Sequence, residues 1–210
     1  MIVIQCGSEK NMDNGTKQEF GEIAQNIAPY GIMMAVFTLC YSVWFCFAWG
    51  ALGRVLFALT VAYGACIVFL SIKNIKHAKR FKAVPSEEGK KIAKSMTIVS
   101  AITYSAMTVC VVMLVAFHLE KLILPAVTFV IGLHFIPLAK IMNRKIDYFI
   151  APVPIVFSLV ASYLAFTTTM TWVEVYAVAG IGGTVATMIY GAYMLNAYKK
   201  VALEYGVEYP

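Results

Sequence analysis

The residue best placed to move a proton or hold a ligand is His134. It stands about halfway along an apolar run, in Gly132-Leu-His-Phe-Ile-Pro-Leu-Ala-Lys140. An imidazole at such a depth is costly unless it has a partner or water. Its ordinary titration near neutrality lets it take up and release protons. Pro137 removes one backbone donor and frees the carbonyl of Leu133, which favours a kink beside the ring. Gly132 and Pro137 are therefore candidate gate residues, and His134 is the candidate ligand or proton site. A structural role fits the same residues: a neutral His134 bonded to a neighbouring Ser, Thr or Tyr would lock two helices together.

Hydroxyl groups form three stripes at helical spacing. Thr97, Ser100, Tyr104 and Thr108 follow one face of one apolar segment, Ser158 and Ser162 another, and Thr184, Thr187 and Tyr190 a third. Such a stripe either lines a hydrated pocket or bonds across helices at about 0.6 kcal/mol per pair. Tyr104, Thr108, Ser158, Ser162 and Thr187 are accordingly joined to His134 as a candidate polar centre for a small-molecule ligand. Arg54 and Glu174 sit just inside the ends of apolar runs, where each can snorkel to the headgroups or the two can pair across an external vestibule. Asp147, beside Arg144 and Lys145, reads as part of a solvated turn.

Familiar catalytic signatures are missing. The sequence has no HExxH, GxSxG, GxxxxGK[ST] or GxGxxG. Cys6, Cys40, Cys46, Cys66 and Cys110 form no CxxC and no metal-ligand spacing, so neither a metal nor a cofactor is expected. No acidic residue falls in the middle of an apolar segment, which counts against strongly ion-coupled transport and against hydrolysis by paired carboxylates.

The elements that position these residues follow from composition. Of 210 residues, 60% are hydrophobic and 13% charged, with a mean hydropathy of +0.76. A soluble domain carries roughly 45–50% apolar and about 25% charged residues. At roughly 20 residues per crossing, the chain reads as an all-α polytopic integral membrane protein. Its six transmembrane helices fall near 29–49, 51–72, 95–117, 121–142, 148–168 and 172–195. A polar leader over 1–28 precedes them and contains a short amphipathic helix (Phe20, Ile23, Ala24, Ile27) suited to the membrane surface. A tail over 196–210 follows.

Tight turns at 49–53, 118–121 and 167–171 imply three antiparallel hairpins. The net charge of +6 is sorted by side: of 17 basic residues, only Arg54 and Lys121 lie with the tight turns. That asymmetry predicts a cytoplasmic (inner) membrane protein with both termini in the cytosol. The connection over 73–94 holds Lys73, Lys76, Lys79, Arg80, Lys82, Lys90, Lys91 and Lys94. It reads as a helical hairpin turning at 83–86, with Ser86 as a helix cap. These eight residues are candidate contacts for anionic lipid headgroups. A basic patch against the bilayer is poorly suited to reading bases, so nucleic acid is rejected as a partner.

In the last predicted crossing, Ala179, Gly183, Thr187 and Gly191 recur every four residues. The face of Gly183, Thr187 and Gly191 could join helices within one chain or copies in a homo-oligomer. Gly180 and Gly182 weaken the same helix and open the option of a break. The Gly132–Ala139 stretch resembles one found in small multi-pass bacterial membrane proteins of unknown function. That resemblance implies a bacterial origin and no particular activity. Three functions stay open: a small-solute transporter, permease or channel-like protein using the His134 centre; a membrane regulator, accessory or immunity-type interaction protein; and an intramembrane enzyme.

Overall fold

The computed structural model describes residues 14–209; Cys6, Lys10 and the rest of the leader's first part lie outside the described residues. All regular elements among them are helical: α1 (Asn14–Ile27), α2 (Tyr30–Ala48), α3 (Gly50–Ala78), α4 (Glu87–Ala116), a single 3-10 turn (Glu120–Leu122), α5 (Ile123–Ile141), α6 (Ile146–Ile150), α7 (Pro152–Thr167) and α8 (Trp172–Glu204). Six stretches are long and apolar enough to cross a membrane: Gly15–Ala48, Gly50–Ala78, Glu87–Ala116, Glu120–Ile141, Ile146–Thr167 and Trp172–Glu204. The segments expected at 51–72 and 95–117 are thus the apolar parts of longer helices.

α8 is the axis of the molecule. Over its apolar window 67% of residues are buried, the highest share among the six spans. Small residues explain how α8 sits so deep, because they let neighbours approach on two sides. A Cβ on Gly183 would lie 2.4 Å from the Tyr41 ring of α2, and one on Gly182 would lie 2.7 Å from Phe157 of α7. Packed from both sides, α8 runs unbroken from Trp172 to Glu204, so the option of a break at Gly180 and Gly182 is overturned. The small-residue face is used within the chain. Gly183, Thr187 and Gly191 are buried within the subunit, occupied by Tyr41, Thr38 and Met34 of α2.

Hydroxyl pairs hold α2, α3 and α8 to one another. The Thr38 and Thr187 hydroxyls lie 2.8 Å apart, the Thr60 hydroxyl donates to Ser42 at 2.9 Å, and the Tyr63 hydroxyl donates to the Met188 carbonyl at 2.5 Å. Each such bond contributes only about 0.6 kcal/mol in a bilayer, so close packing of small residues carries more of the contact. Gly50, with φ +52, makes the reversal from α2 to α3 in a conformation that a side chain would strain.

The second layer is looser. α7 packs on α8 and α5, whereas α4 rests on α5 and the adjoining 3-10 turn. No residue of α4 is buried. Its start is nonetheless well defined: Ser86 accepts from the Gly89 N–H at 3.0 Å, and Glu87 and Glu88 occupy the first turn, where the helix dipole favours acids.

α1 is amphipathic as expected, but protein rather than lipid covers its apolar face. Phe20 and Ala24 are fully buried against Ala78, Tyr198, Ala202 and Val207 at the ends of α3 and α8. Its polar face holds the connection between α3 and α4. Gln25 donates to the Phe81 carbonyl at 2.7 Å, and the Ser86 N–H donates to both Glu22 oxygens at 3.1 Å. The apolar stripe expected to face lipid is therefore covered by aromatic and aliphatic partners on the bundle.

Replacing Gly183 with Leu should lower stability by about 1–3 kcal/mol, the usual penalty for overpacking. The measurement is the midpoint of denaturation by sodium dodecyl sulfate of the protein purified in mild detergent. An unchanged midpoint would show that α2 and α8 do not meet there.

Candidate functional site

A cavity of about 350 Å³ lies between α2, α4, α5 and α8. Small-ligand pockets span roughly 300–1,000 Å³, so it is large enough for one modest molecule. Each helix contributes one face. α2 presents Tyr30, Met33, Met34, Phe37 and Tyr41; α4 presents Met96, Ser100 and Tyr104; α5 presents Ile131, His134, Phe135 and Leu138; and α8 presents Thr187 and Tyr190. From Pro29 to Tyr41 the cavity follows α2 for about 18 Å, at 1.5 Å per residue.

Within this frame His134 has a defined partner. Its Nδ1 lies 2.9 Å from the Thr103 hydroxyl of α4, so the ring bridges α5 and α4 while lining the cavity. The helix-bridging position expected of a structural histidine and a place in a cavity wall thus coincide in one side chain. Thr103 itself was outside the stripe drawn through Tyr104 and Thr108. Its position three residues after Ser100 was the available signal, because residues at that spacing share a helix face.

The other candidates divide. Tyr104 and Thr187 join His134 around the cavity, as do Ser100 and Tyr190 from the same stripes. Thr108 donates to the Tyr104 carbonyl at 2.8 Å. Ser158 and Ser162 bond carbonyls of their own helix, Ile155 at 2.7 Å and Ser158 at 2.8 Å. None of the three lines the cavity. Gly132 packs against Ile155 and the Ala151 carbonyl of α7, and α5 continues as helix through Pro137. Glu174 closes a capping box with Thr171 at the start of α8, accepting from the Thr171 N–H at 2.7 Å. No ion pair joins it to Arg54 among the described residues; Glu174 is engaged locally. All eight basic residues of 73–94 are exposed.

The mouth opposite the tight turns is built around a charge pair that the sequence disguised. Asn143 adopts a left-handed conformation at φ +49, a geometry Asn tolerates better than most residues. The chain there folds back after α5, with the Arg144 N–H donating to the Ala139 carbonyl at 3.0 Å. Arg144 then lies over the Tyr190 ring at 5.2 Å and donates through Nε to Asp147 at 3.1 Å. Asp147 is fully buried and Arg144 only 14% exposed. The solvated turn expected at Asp147 is thus corrected: the carboxylate points inward, paired with Arg144 at the cavity's edge. Among the described residues, Asp147 Oδ1 has no hydrogen-bond partner, and Nε is the one guanidinium nitrogen of Arg144 that is hydrogen-bonded.

Among the described residues, no three His, Cys, Asp or Glu side chains gather where a metal ion could be held. A second cavity, bounded by His118, Glu120, Lys121, Trp172 and Tyr176, lies at the opposite end. There Trp44, Trp172 and Tyr176 pack edge to face with centroids 5.0–5.7 Å apart, and Lys121 donates to the Met170 carbonyl at 2.9 Å. Comparison with protein-family models, curated proteins and solved structures finds no match to the chain.

Arg144→Gln leaves Asp147 buried without its cation and should destabilise the protein by about 3–5 kcal/mol. The paired change Arg144→Gln with Asp147→Asn should recover most of that loss. Denaturation midpoints of the single and double variants test this, and equal midpoints would remove the coupling.

Proposed function

We propose that this protein is a small-solute transporter or permease of the cytoplasmic membrane, with the cavity beside His134 as its binding site. The observation that carries this reading is the cavity itself: it reaches a histidine deep in an apolar helix and is rimmed by four helices from two packing layers. The six crossings form three antiparallel hairpins, α2–α3, α4–α5 and α7–α8, with their tips outward and both termini in the cytosol. Two sorted features support that orientation. The basic residues concentrate at 73–94 and 140–145, and Trp44, Trp49 and Trp172 flank the opposite turns, where indole rings favour a membrane interface.

Movement of solute through such a site requires that it face each side in turn. α2, α3 and α8 are joined by buried hydroxyl bonds and serve as the fixed part. α4, with no buried residue, is the element that shifts with the least loss of packing. His134 links that element to the site through Thr103. A second reading, a regulator or accessory subunit, draws on the same exposure: the uncovered length of α4 and the eight exposed basic residues beside it offer a partner a broad surface.

The two readings differ in access. Ser100→Cys, placed in a chain whose five native cysteines are changed to Ala, puts a thiol in the cavity wall. A transporter should show labelling by a membrane-impermeant maleimide from both faces, tested in right-side-out and inverted vesicles. Labelling from the cytosolic face alone would favour the regulator, and a thiol reached from neither face would remove the aqueous cavity. Appending a C-terminal reporter active only outside the cytosol should give no signal; a positive signal would invert the proposed topology.

A further inference from the structure

The cavity opens sideways. Among its lining residues, Met33 and Phe37 on α2 are 41% and 38% exposed, and Tyr104 on α4 is 49% exposed. Those exposed side chains flank the seam between α2 and α4, which is not a substantial helix contact. Beside lipid-facing residues such as Val36 and Ile102, that seam faces the bilayer interior rather than water. The mouth near Tyr30 and Arg144 lies at the end where the basic residues concentrate, so the seam faces the cytosolic leaflet.

The walls of this slot are largely apolar surface, from methionine, phenylalanine, isoleucine and leucine side chains and four tyrosine rings, with Ser100, His134 and Thr187 set among them and Arg144 at the mouth. At the mouth, Arg144 lies over the Tyr190 ring and is held by Asp147 through Nε, and among the described residues its other guanidinium N–H groups make no hydrogen bond. A guanidinium fork suits a carboxylate or phosphate, and Asp147 positions it without using those donors. Lys140, Arg144 and Lys145 outnumber Asp147 there, leaving the local charge positive.

We propose, on the reading of this cavity as the solute site, that its ligand is an anionic acyl amphiphile drawn from the cytosolic leaflet. It enters between α2 and α4, sets its head on Arg144, and lays its chain along Met33, Phe37 and Phe135 toward Tyr104. A water-soluble solute would meet an apolar slot along most of its path; an acyl chain matches it, and only the head needs the cation.

The test uses full-length protein delipidated in non-ionic detergent, titrated with oleate, dioleoyl phosphatidic acid or dioleoyl phosphatidylcholine and read by native mass spectrometry. Oleate, phosphatidic acid or both should bind at least about tenfold more tightly than phosphatidylcholine, a difference in line with a charge-assisted contact. The two anionic arms separate a free carboxylate from a phosphate headgroup. Arg144→Gln with Asp147→Asn should abolish the preference while keeping the buried site neutral and folded, and Ser100→Phe should reduce binding by filling the slot. Changing the eight basic residues of 73–94 to Gln should leave the preference intact. The proposal is overturned if phosphatidylcholine binds equally well, if the preference survives the Arg144–Asp147 double variant, or if it disappears only with the 73–94 changes. Should any of these occur while a thiol at position 100 is still labelled from both faces, the ligand class fails and the transport reading stands. A thiol reached from neither face would instead remove the cavity reading on which both rest.

Discussion

The close contact of α2 with α8 governs the arrangement of everything else. Within a bilayer, apolar surface has little preference between lipid and protein, so helices stay together where their backbones can approach and interdigitate. The Tyr41 ring lies where a side chain at Gly183 would otherwise stand, and the Thr38 and Thr187 hydroxyls meet one turn further along α8. This seam fixes α8 at the centre. Gly182 on another face of α8 then receives α7, and α5 follows through its packing on α7 and α8. The cavity is what remains between this fixed seam and α4, whose only substantial helix neighbour is α5.

Polar groups in such a molecule survive by being satisfied locally. Most hydroxyls on the helices return their hydrogen to a carbonyl one turn back, as Thr97 and Thr108 do, and so carry no long-range information. The exceptions are informative because they cross between helices: Thr60 to Ser42, Thr38 to Thr187, and His134 to Thr103. The Arg144–Asp147 pair is the most demanding case. Removing two charges from water costs several kcal/mol per ion unless geometry compensates, and here the Tyr190 ring and the fold-back at Asn143 supply that geometry.

Much of this was legible beforehand, and the failures have physical causes. Long apolar runs mark crossings because no other element satisfies its backbone in lipid, and Ser86 followed by two acids marks the start of α4. Asp147 was misread because an acid three residues after an arginine has the same pattern in a solvated turn as in a buried pair. Only Tyr190, more than forty positions away, decides between them. Likewise, the apolar stripe of α1 states that something must cover Phe20 and Ala24 without stating whether lipid or α3 and α8 will do so. A row of small residues announces a close approach but names no partner, which left Gly183 and Gly191 open to either a second copy or α2. Thr171 and Glu174 at N-cap spacing did hold a readable sign, a capping box, that the search for charge pairs passed over.

The grip of α1 on the start of α4 has a mechanical consequence. Glu22 holds Ser86, and α1 is in turn seated on the ends of α3 and α8, so the first turn of α4 is moored to the rigid seam while its length leans on α5. Such a rod has its fulcrum at Ser86. Met96 lies about 15 Å along it and Tyr104 about 27 Å, at 1.5 Å per residue. Any tilt therefore displaces the deep wall of the slot nearly twice as far as its mouth. The leader helix is thus placed as a pivot block, so that its seat on α3 and α8 sets how far a small rotation of α4 is magnified along its length.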